Sequence, residues 1–401
     1  MALPASQSHP ADRGNALEEI RLAGTAIGRT GHDLGSGRLR GSPPWMPDEK
    51  CLAVVGSDSM RAPRCAARAA FGGARGNMEQ VLVTGATGTV GSLLVRDLAG
   101  RGVRVRALVR SPERAAAALP PGVEAFRGDV TDLASVRSAV RGCDTVFHTA
   151  GLPEQWLADP DVFEQVNVNG TRHLVEAALT EGVATFVHTS TIDVFDRVPG
   201  VPFDESTSLA VRPLGSAYER SKQRADRLVA KAVERGLPAR IVHPSAVYGP
   251  GPATATALNL VLLRLARNQI PALPPGGMPV VFTEDVSQGH LLAAEAPIGT
   301  RWILSDRYLT MTAIAESVRT VVPTSKVPRT MPTALATTLA TAGEVVARVI
   351  RRPPLLAAGE LYFLRSHSLP DSSRARGQLG WHTTEVQEGF ARALRHFGVL
   401  R

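Results

Sequence analysis

From Gln80 onward the apolar residues fall into two alternating periods. Val81, Leu82 and Val83 form a short continuous run, as a strand buried on both faces requires. Val90, Leu93, Leu94 and Leu98 then recur at helical spacing as far as Gly100. Gly102 turns the chain into a second β run at 103–109. Ser111-Pro112-Glu113 reads as a helix start, with a capping hydroxyl, a proline in the first turn and an acid near the positive end of the dipole. Runs at 123–126, 145–148, 184–188 and 240–243 predict four more strands, and 161–179 and 218–235 predict helices between them. Strands alternating with helices at this interval predict an α/β fold: a Rossmann-type, doubly wound parallel sheet with right-handed crossovers. After Pro244 the alternation loosens. Prolines and glycines punctuate 248–252 and 271–279, and helical runs at 258–266 and 311–321 dominate. The expected organisation is a sheet domain over 78–244, then a smaller, mostly helical lid over 245–401, interleaved with the last strands of the sheet. Residues 330–350 are rich in Ala, Leu, Thr and Val yet carry Glu344 and Arg348, which reads as a helix of the lid or as a membrane-surface contact.

The first 77 residues are different material. They hold 11 Gly and 6 Pro with little sustained hydrophobic period, so they are expected to be a disordered leader or the product of an upstream start, with Met78 opening the folded part. The stretch does not resemble a secretory signal, since no apolar run follows a basic start. No charge-free apolar run reaches eighteen residues, so no spanning helix is expected. The three cysteines, Cys51, Cys65 and Cys143, make no C-x-x-C pair and no disulfide framework, which points to a cytoplasmic protein. The net charge of +8 is not a nucleic-acid signal. Only four of the 45 basic residues are lysines, and the arginines are scattered along the chain without a block. No nucleic-acid partner and no metal are expected.

Two motifs carry chemistry. Thr84-Gly85-Ala86-Thr87-Gly88-Thr89-Val90-Gly91 leaves an apolar strand and opens an amphipathic helix. Glycines there let the backbone approach a pyrophosphate, and the helix start offers unpaired N–H groups and a positive dipole end. The second motif is Tyr218-x-x-x-Lys222, in a chain that holds four tyrosines and four lysines. At this spacing both side chains lie on one helix face, and an ammonium there is expected to lower the phenol's pKa from about 10 towards working pH. Thr189-Ser190-Thr191 ends a predicted strand and offers hydroxyls to a substrate oxygen.

Together these strings resemble the extended short-chain dehydrogenase/reductase family, also called the NAD-dependent epimerase/dehydratase family. The resemblance runs from about Gln80 to Arg401. It includes Gly128-Asp129-Val130, the stretch Val146 through Gly151, Asn167-Val168-Asn169-Gly170-Thr171, and His243-Pro244-Ser245-Ala246-Val247-Tyr248-Gly249-Pro250-Gly251. In the last of these the family's arginine is replaced by His243. Phe282 through Val286 and Ala375 through Trp381 look like later signposts of the family, and Arg351-Arg352-Pro353-Pro354 after an Ala/Thr/Leu helix is similar to its 3β-hydroxysteroid dehydrogenase and dihydroflavonol reductase branch. Where the nucleotide-sugar dehydratases carry a proton-delivering Asp, this chain reads Ser190-Thr191-Ile192, so dehydration is excluded.

The resemblance implies an NAD(P)-dependent oxidoreductase that interconverts a secondary alcohol and a ketone on a small, hydrophobic molecule. Tyr218 would move the proton, Thr191 (or Ser190) would hold the substrate oxygen, and Lys222 would bind the nicotinamide ribose. Gly85, Thr87, Gly88, Thr89, Val90 and Gly91 would cradle the pyrophosphate, Asp129 and Val130 the adenine, and Ala150, Asn167, Pro244 and Val247 the rest of the cofactor. Homodimers are common in such a family. The alternatives are a nucleotide-sugar epimerase on the same scaffold and a dinucleotide-sensing module without turnover. An NAD site usually places Asp or Glu at the end of the second strand. Here Val109 is followed by Arg110, with Ser111 and Arg114 nearby, so NADP is expected in preference to NAD.

Overall fold

A computed structural model describes residues 78–210, 215–255 and 257–400; the expectations for residues 1–77, with Cys51 and Cys65, lie outside the described residues. The first half runs β1 (Gln80–Thr84), α1 (Thr89–Gly100), β2 (Arg104–Val109), α2 (Pro112–Ala115), β3 (Glu124–Arg127), α3 (Leu133–Val140) and β4 (Thr145–His148). Next, α4 (Asp161–Phe163) passes through a π-helical stretch, Glu164–Asn169, into α5 (Gly170–Glu181), followed by β5 (Thr185–Thr189), β6 (Pro202–Phe203), α6 (Ala217–Glu234) and β7 (Ala239–Pro244). The remainder contains β8 (Ala246–Tyr248), α7 (Ala257–Ala266), β9 (Gly277–Phe282), α8 (Thr283–Ala294), β10 (Arg301–Leu304), β11 (Arg307–Thr310) and α9 (Met311–Val321). It ends with α10 (Thr333–Ile350), α11 (Ala358–Arg365), β12 (Leu369–Pro370), α12 (Ser373–Leu379) and α13 (Val386–His396).

Seven strands form one parallel sheet in the order β10-β7-β5-β4-β1-β2-β3. The apolar run of β1 explains its central place. Val81 and Val83 pack with Leu94, Leu98 and Val286 on one side, while Leu82 packs with Val136, Leu174 and Val229 on the other. Each such fully buried side chain contributes roughly 1.5–3 kcal/mol, so a strand with both faces covered holds its register firmly. The strand order reverses between β1 and β4, and a crevice opens there at the carboxyl edge, where ligands bind in folds of this kind.

The lid is mostly helical, as expected, and also holds a small sheet that the sequence did not reveal. Helices α7, α9 and α13 pack on a three-stranded sheet, β11-β9-β8, around Tyr248, Phe282 and Phe390. Strand β9 was hidden in the sequence because Gly277 and Pro279 interrupt its apolar run, yet all six of its residues are buried. β10 leaves the lid region and completes the main sheet beside β7. Trp381 anchors the returning chain: it is fully buried, and its indole N–H donates to the Asp285 carbonyl at 2.7 Å. No helix among the described residues is long and apolar enough to cross a membrane.

Candidate active site

The expected ligand-binding residues gather at the carboxyl edge of the sheet, because each follows or ends a parallel strand. The glycine turn follows β1, Arg110 follows β2, Asp129 and Val130 follow β3, Ala150 follows β4, and Pro244 ends β7. Gly85 has φ +68°, and a Cβ there would stand 2.7 Å from the Ala150 nitrogen, so only glycine permits this approach of the β1 and β4 turns. A side chain at Gly91 would collide with the Gly85 carbonyl, which the helix start approaches closely. Helix α1 begins after Gly88 with no side-chain cap and no acid in its first turn. Its first N–H groups therefore look into the crevice, flanked by Gly251, whose Cβ position lies 3.2 Å from the Thr89 Cα. This bare, positive helix end beneath a glycine turn fits a pyrophosphate. Val247 lies in β8 and is half-buried.

A hydrogen-bonded chain fixes the floor beside it. Thr84 Oγ1 lies 2.8 Å from His148 Nδ1, and His148 Nε2 lies 2.9 Å from Thr171 Oγ1, whose hydroxyl donates to the Asn167 carbonyl at 2.6 Å. Burial, with the Lys222 charge adding to it, pushes His148 down to about 3, so the ring is neutral. Asn167 sits in the π-helical stretch, a distortion often found at functional sites. Its amide nitrogen donates to Ser221 Oγ at 2.9 Å, and its oxygen accepts from the Leu152 N–H at 2.8 Å. Asn167 thus ties the loop after β4 to helix α6.

Helix α6 starts with a capping box, Ser216 paired with Glu219, which sets Tyr218 and Lys222 on their helix face. Lys222 is buried and donates to the Thr189 carbonyl at 2.6 Å. Its Nζ lies 3.8 Å from the place a Cβ of Gly151 would take, directly under the turn after β4. Burial lowers the ammonium to about 8, although Asp226 opposes the shift. The Tyr218 hydroxyl hydrogen-bonds with Thr191, whose own hydroxyl donates to Asp193 Oδ2 at 3.0 Å. The expected lowering of the phenol by Lys222 is not found. Burial, followed by the Asp193 charge, raises the phenol well above its ordinary value, because carboxylates crowd its side while Lys222 reaches past it to β5. The Ser190 hydroxyl donates to Asp226 Oδ2 at 2.7 Å, whereas Thr191 is the hydroxyl paired with Tyr218.

Sequence reasoning missed two buried charge clusters around this helix. Asp226 continues the Tyr218–Lys222 stripe by one more turn, a spacing that could have revealed it. Arg301 from β10 donates to its Oδ1 at 2.7 Å, and His243 Nε2 lies 2.9 Å from its Oδ2. Burial opposes ionisation of Asp226, but His243 and Arg301 outweigh it and hold the carboxyl below its usual range. Arg301 supplies from another strand the guanidinium that the His243 position lacks. The second cluster is Arg197, which donates to Asp193 at 2.6 Å, to Ser368 at 3.0 Å and to Glu219 at 3.4 Å. At the far end of the crevice Arg110 is exposed, while the neighbouring Ser111 hydroxyl donates to Glu113 at 2.9 Å and Arg127 pairs with the same carboxylate.

A parallel sheet with a bare helix start at its reversal point, and a half-buried tyrosine with a buried lysine beside it, fits the class of nicotinamide-dinucleotide enzymes. The chain belongs to the NAD dependent epimerase/dehydratase family, whose model matches residues 81–302. It is 32% identical over 319 residues to sterol demethylase protein B of Methylococcus capsulatus, covering 79% of this chain and 97% of that protein. It is 30% identical to a putative dihydroflavonol 4-reductase of Synechocystis, covering 79% and 93%. Among solved structures, that of gox2253 superposes with a TM-score of 0.69 at 29% identity, covering 80% of this chain and all of that one. A Thermus thermophilus UDP-glucose 4-epimerase in complex with NAD gives 0.65 at 25% identity, covering 79% and 98%.

Proposed function

We propose that this protein reduces the carbonyl of a small hydrophobic molecule to a secondary alcohol, with a nicotinamide dinucleotide as its cofactor. The observation that carries the reading is the Tyr218–Thr191 hydroxyl pair beside the buried Lys222. A phenol kept protonated by burial and by the Asp193 carboxylate is suited to giving up a proton as charge develops on a carbonyl oxygen. The Thr191 hydroxyl, whose proton rests on Asp193, would turn to donate it to that same oxygen. Lys222, fixed by the Thr189 carbonyl beneath Gly151, would bind the ribose hydroxyls and place its charge under the reacting ring. When bound, the cofactor supplies the hydride; the protein supplies orientation and the proton. The likeness to a sterol demethylase protein, a putative dihydroflavonol reductase and a farnesyl-dihydroquinoline ketoreductase supports a hydrophobic substrate. A panel of sterols, aromatic ketones and nucleotide sugars, followed by reduced-nicotinamide absorbance, tests the reading. Consumption with a hydrophobic ketone is expected. Turnover of a nucleotide sugar with no net absorbance change would replace the reading with epimerisation.

The same reading includes NADP in preference to NAD. Arg110 stands exposed at the end of β2, where a 2′-phosphate would lie, and no carboxylate takes the strand-end position. Glu113 is the next acid along the chain, and Ser111 and Arg127 hold it. Arg110→Ala should therefore lower the NADPH-to-NADH ratio of kcat/KM by about ten- to a hundredfold, the range of a charge-assisted contact worth about 1.5–3 kcal/mol. A ratio that does not move would sink this part of the proposal.

A further inference from the structure

Helix α10 is amphipathic in an inverted sense. Its seam against the protein consists of Ala336, Ala340 and Ala347, with Ala336 and Ala340 resting on Leu361 of α11. The bulky residues Leu335, Leu339, Val346, Val349 and Ile350 recur at helical spacing on an adjoining stripe that faces outward. Leu339 is 50% exposed, Val346 56% and Val349 81%. The loop to α11 continues the stripe with Leu355, which is 99% exposed. An ordinary surface helix turns its large hydrophobes inward and its small or polar residues outward. A contiguous apolar stripe of this kind marks a docking surface.

We propose that the α10–α11 hairpin docks the protein on an anionic lipid surface, with the apolar stripe lying among the acyl chains near the headgroups. Charge complementarity selects this occupant. Over residues 316–365 the chain carries Arg319, Lys326, Arg329, Arg348, Arg351, Arg352 and Arg365 against Glu316, Glu344 and Glu360. Arg351 and Arg352 are exposed at the end of the stripe, between it and Leu355. Aliphatic residues flanked by arginines suit an in-plane helix at a headgroup boundary. A protein partner would instead be met by aromatic anchors in pockets, and the stripe has no aromatic residue. The hairpin also borders the active site. Gly359, at the start of α11, packs so closely that a Cβ would lie 3.0 Å from Ser216 and 3.3 Å from the Gln155 carbonyl, and the Ser216 hydroxyl donates to Gln155 at 2.8 Å. Ser216 caps the helix that carries Tyr218, so a docked hairpin brings the catalytic end of α6 to the lipid surface. A hydrophobic carbonyl compound would then enter from the bilayer; this last clause rests on the proposed reductase function, whereas docking does not.

The test is co-sedimentation of the full chain with vesicles of equimolar phosphatidylcholine and phosphatidylglycerol, and with phosphatidylcholine alone. Binding to the anionic vesicles is expected, at least about tenfold weaker on the neutral ones and weakened by salt. The double variant Leu339→Asp with Val346→Asp should bind at least about tenfold less at an unchanged Tm. Arg351→Gln with Arg352→Gln, which leaves the apolar stripe intact, should lose most of the preference for anionic lipid. No binding to the anionic vesicles, or equal binding by the Asp variant, would overturn the proposal. So would a concentration-dependent dimer that the Asp variant splits, since a second copy would then be the occupant. Vesicle binding requires no turnover, so docking and the reductase reading can fail separately.

Discussion

Beneath α6, Lys222, Asp226, His243 and Arg301 bury charge and polarity against the sheet, whereas the α10–α11 hairpin leaves Leu339, Val346, Val349 and Leu355 in the open. Both regions run against the usual partition of a folded chain, one beneath α6 and one beside the cap of that helix. Burying charge is costly unless every charge finds a partner, and here Asp226 serves three donors at once. Exposing hydrocarbon costs only while water is the neighbour. Neither arrangement is the best choice for stability alone. Local sequence that conflicts with stable folding is most often found where the chain serves a site.

If the polar seam is a closed network, breaking it should cost most. Asp226→Ala leaves the Arg301 guanidinium and Ser190 without their carboxylate, and a loss of about 3–5 kcal/mol is expected in urea unfolding. A loss under about 1 kcal/mol would mean that the seam is wet or loosely made. Glu219 offers a smaller, pH-dependent effect. Burial, with Asp193 adding to it and Arg197 opposing, pushes its carboxyl up to about 7 from an ordinary 4.5. The folded protein therefore binds this proton more tightly than the unfolded chain. The stabilisation is complete below about pH 4.5 and is lost as pH rises through about 7. Glu219→Gln should accordingly lower Tm less on going from pH 5 to pH 8 than wild type does, and an unchanged slope would contradict that assignment. The smallest effect belongs to the hairpin. In plain buffer Leu339→Asp with Val346→Asp should change unfolding free energy by no more than about 0.5 kcal/mol per site, as for surface positions without partners. A larger loss would show that the stripe supports the fold.

The legible and illegible parts of the molecule divide along the same line. The β1–α1 turn, the strands of the main sheet as far as β7 and the Tyr218–Lys222 pair could be read directly, because their chemistry depends on local spacing: a strand's apolar run, glycines at fixed offsets, a four-residue helix step. Asp226 was within reach for the same reason, one turn further on. Arg301 was not, since it meets Asp226 only after β10 has crossed back into the main sheet. Asp193, Arg197 and Glu219 converge from a short turn, a loop and a helix, and nothing in their spacing reveals the meeting. Pro279 hid β9, and a composition of Ala, Thr, Leu and Val in α10 could not say which side faces the protein. The direction of the Tyr218 shift is hidden for a related reason: the lysine is visible in sequence, whereas the burial of the phenol and the Asp193 carboxylate beside it are not.

The central claim is that Tyr218 gives its proton to a carbonyl oxygen in a site whose cofactor contacts lie elsewhere. Tyr218→Phe removes only the phenolic hydroxyl and leaves Lys222, the glycine turn and the capping box in place. Its direct measurement is single-turnover reduction of a confirmed ketone, alongside cofactor binding followed by nicotinamide fluorescence. The account predicts a rate at least about a hundredfold lower, as for loss of a positioned acid, with cofactor affinity changed by less than about threefold. A variant that retains most of the wild-type rate, or one that loses cofactor binding in step with activity, would contradict it.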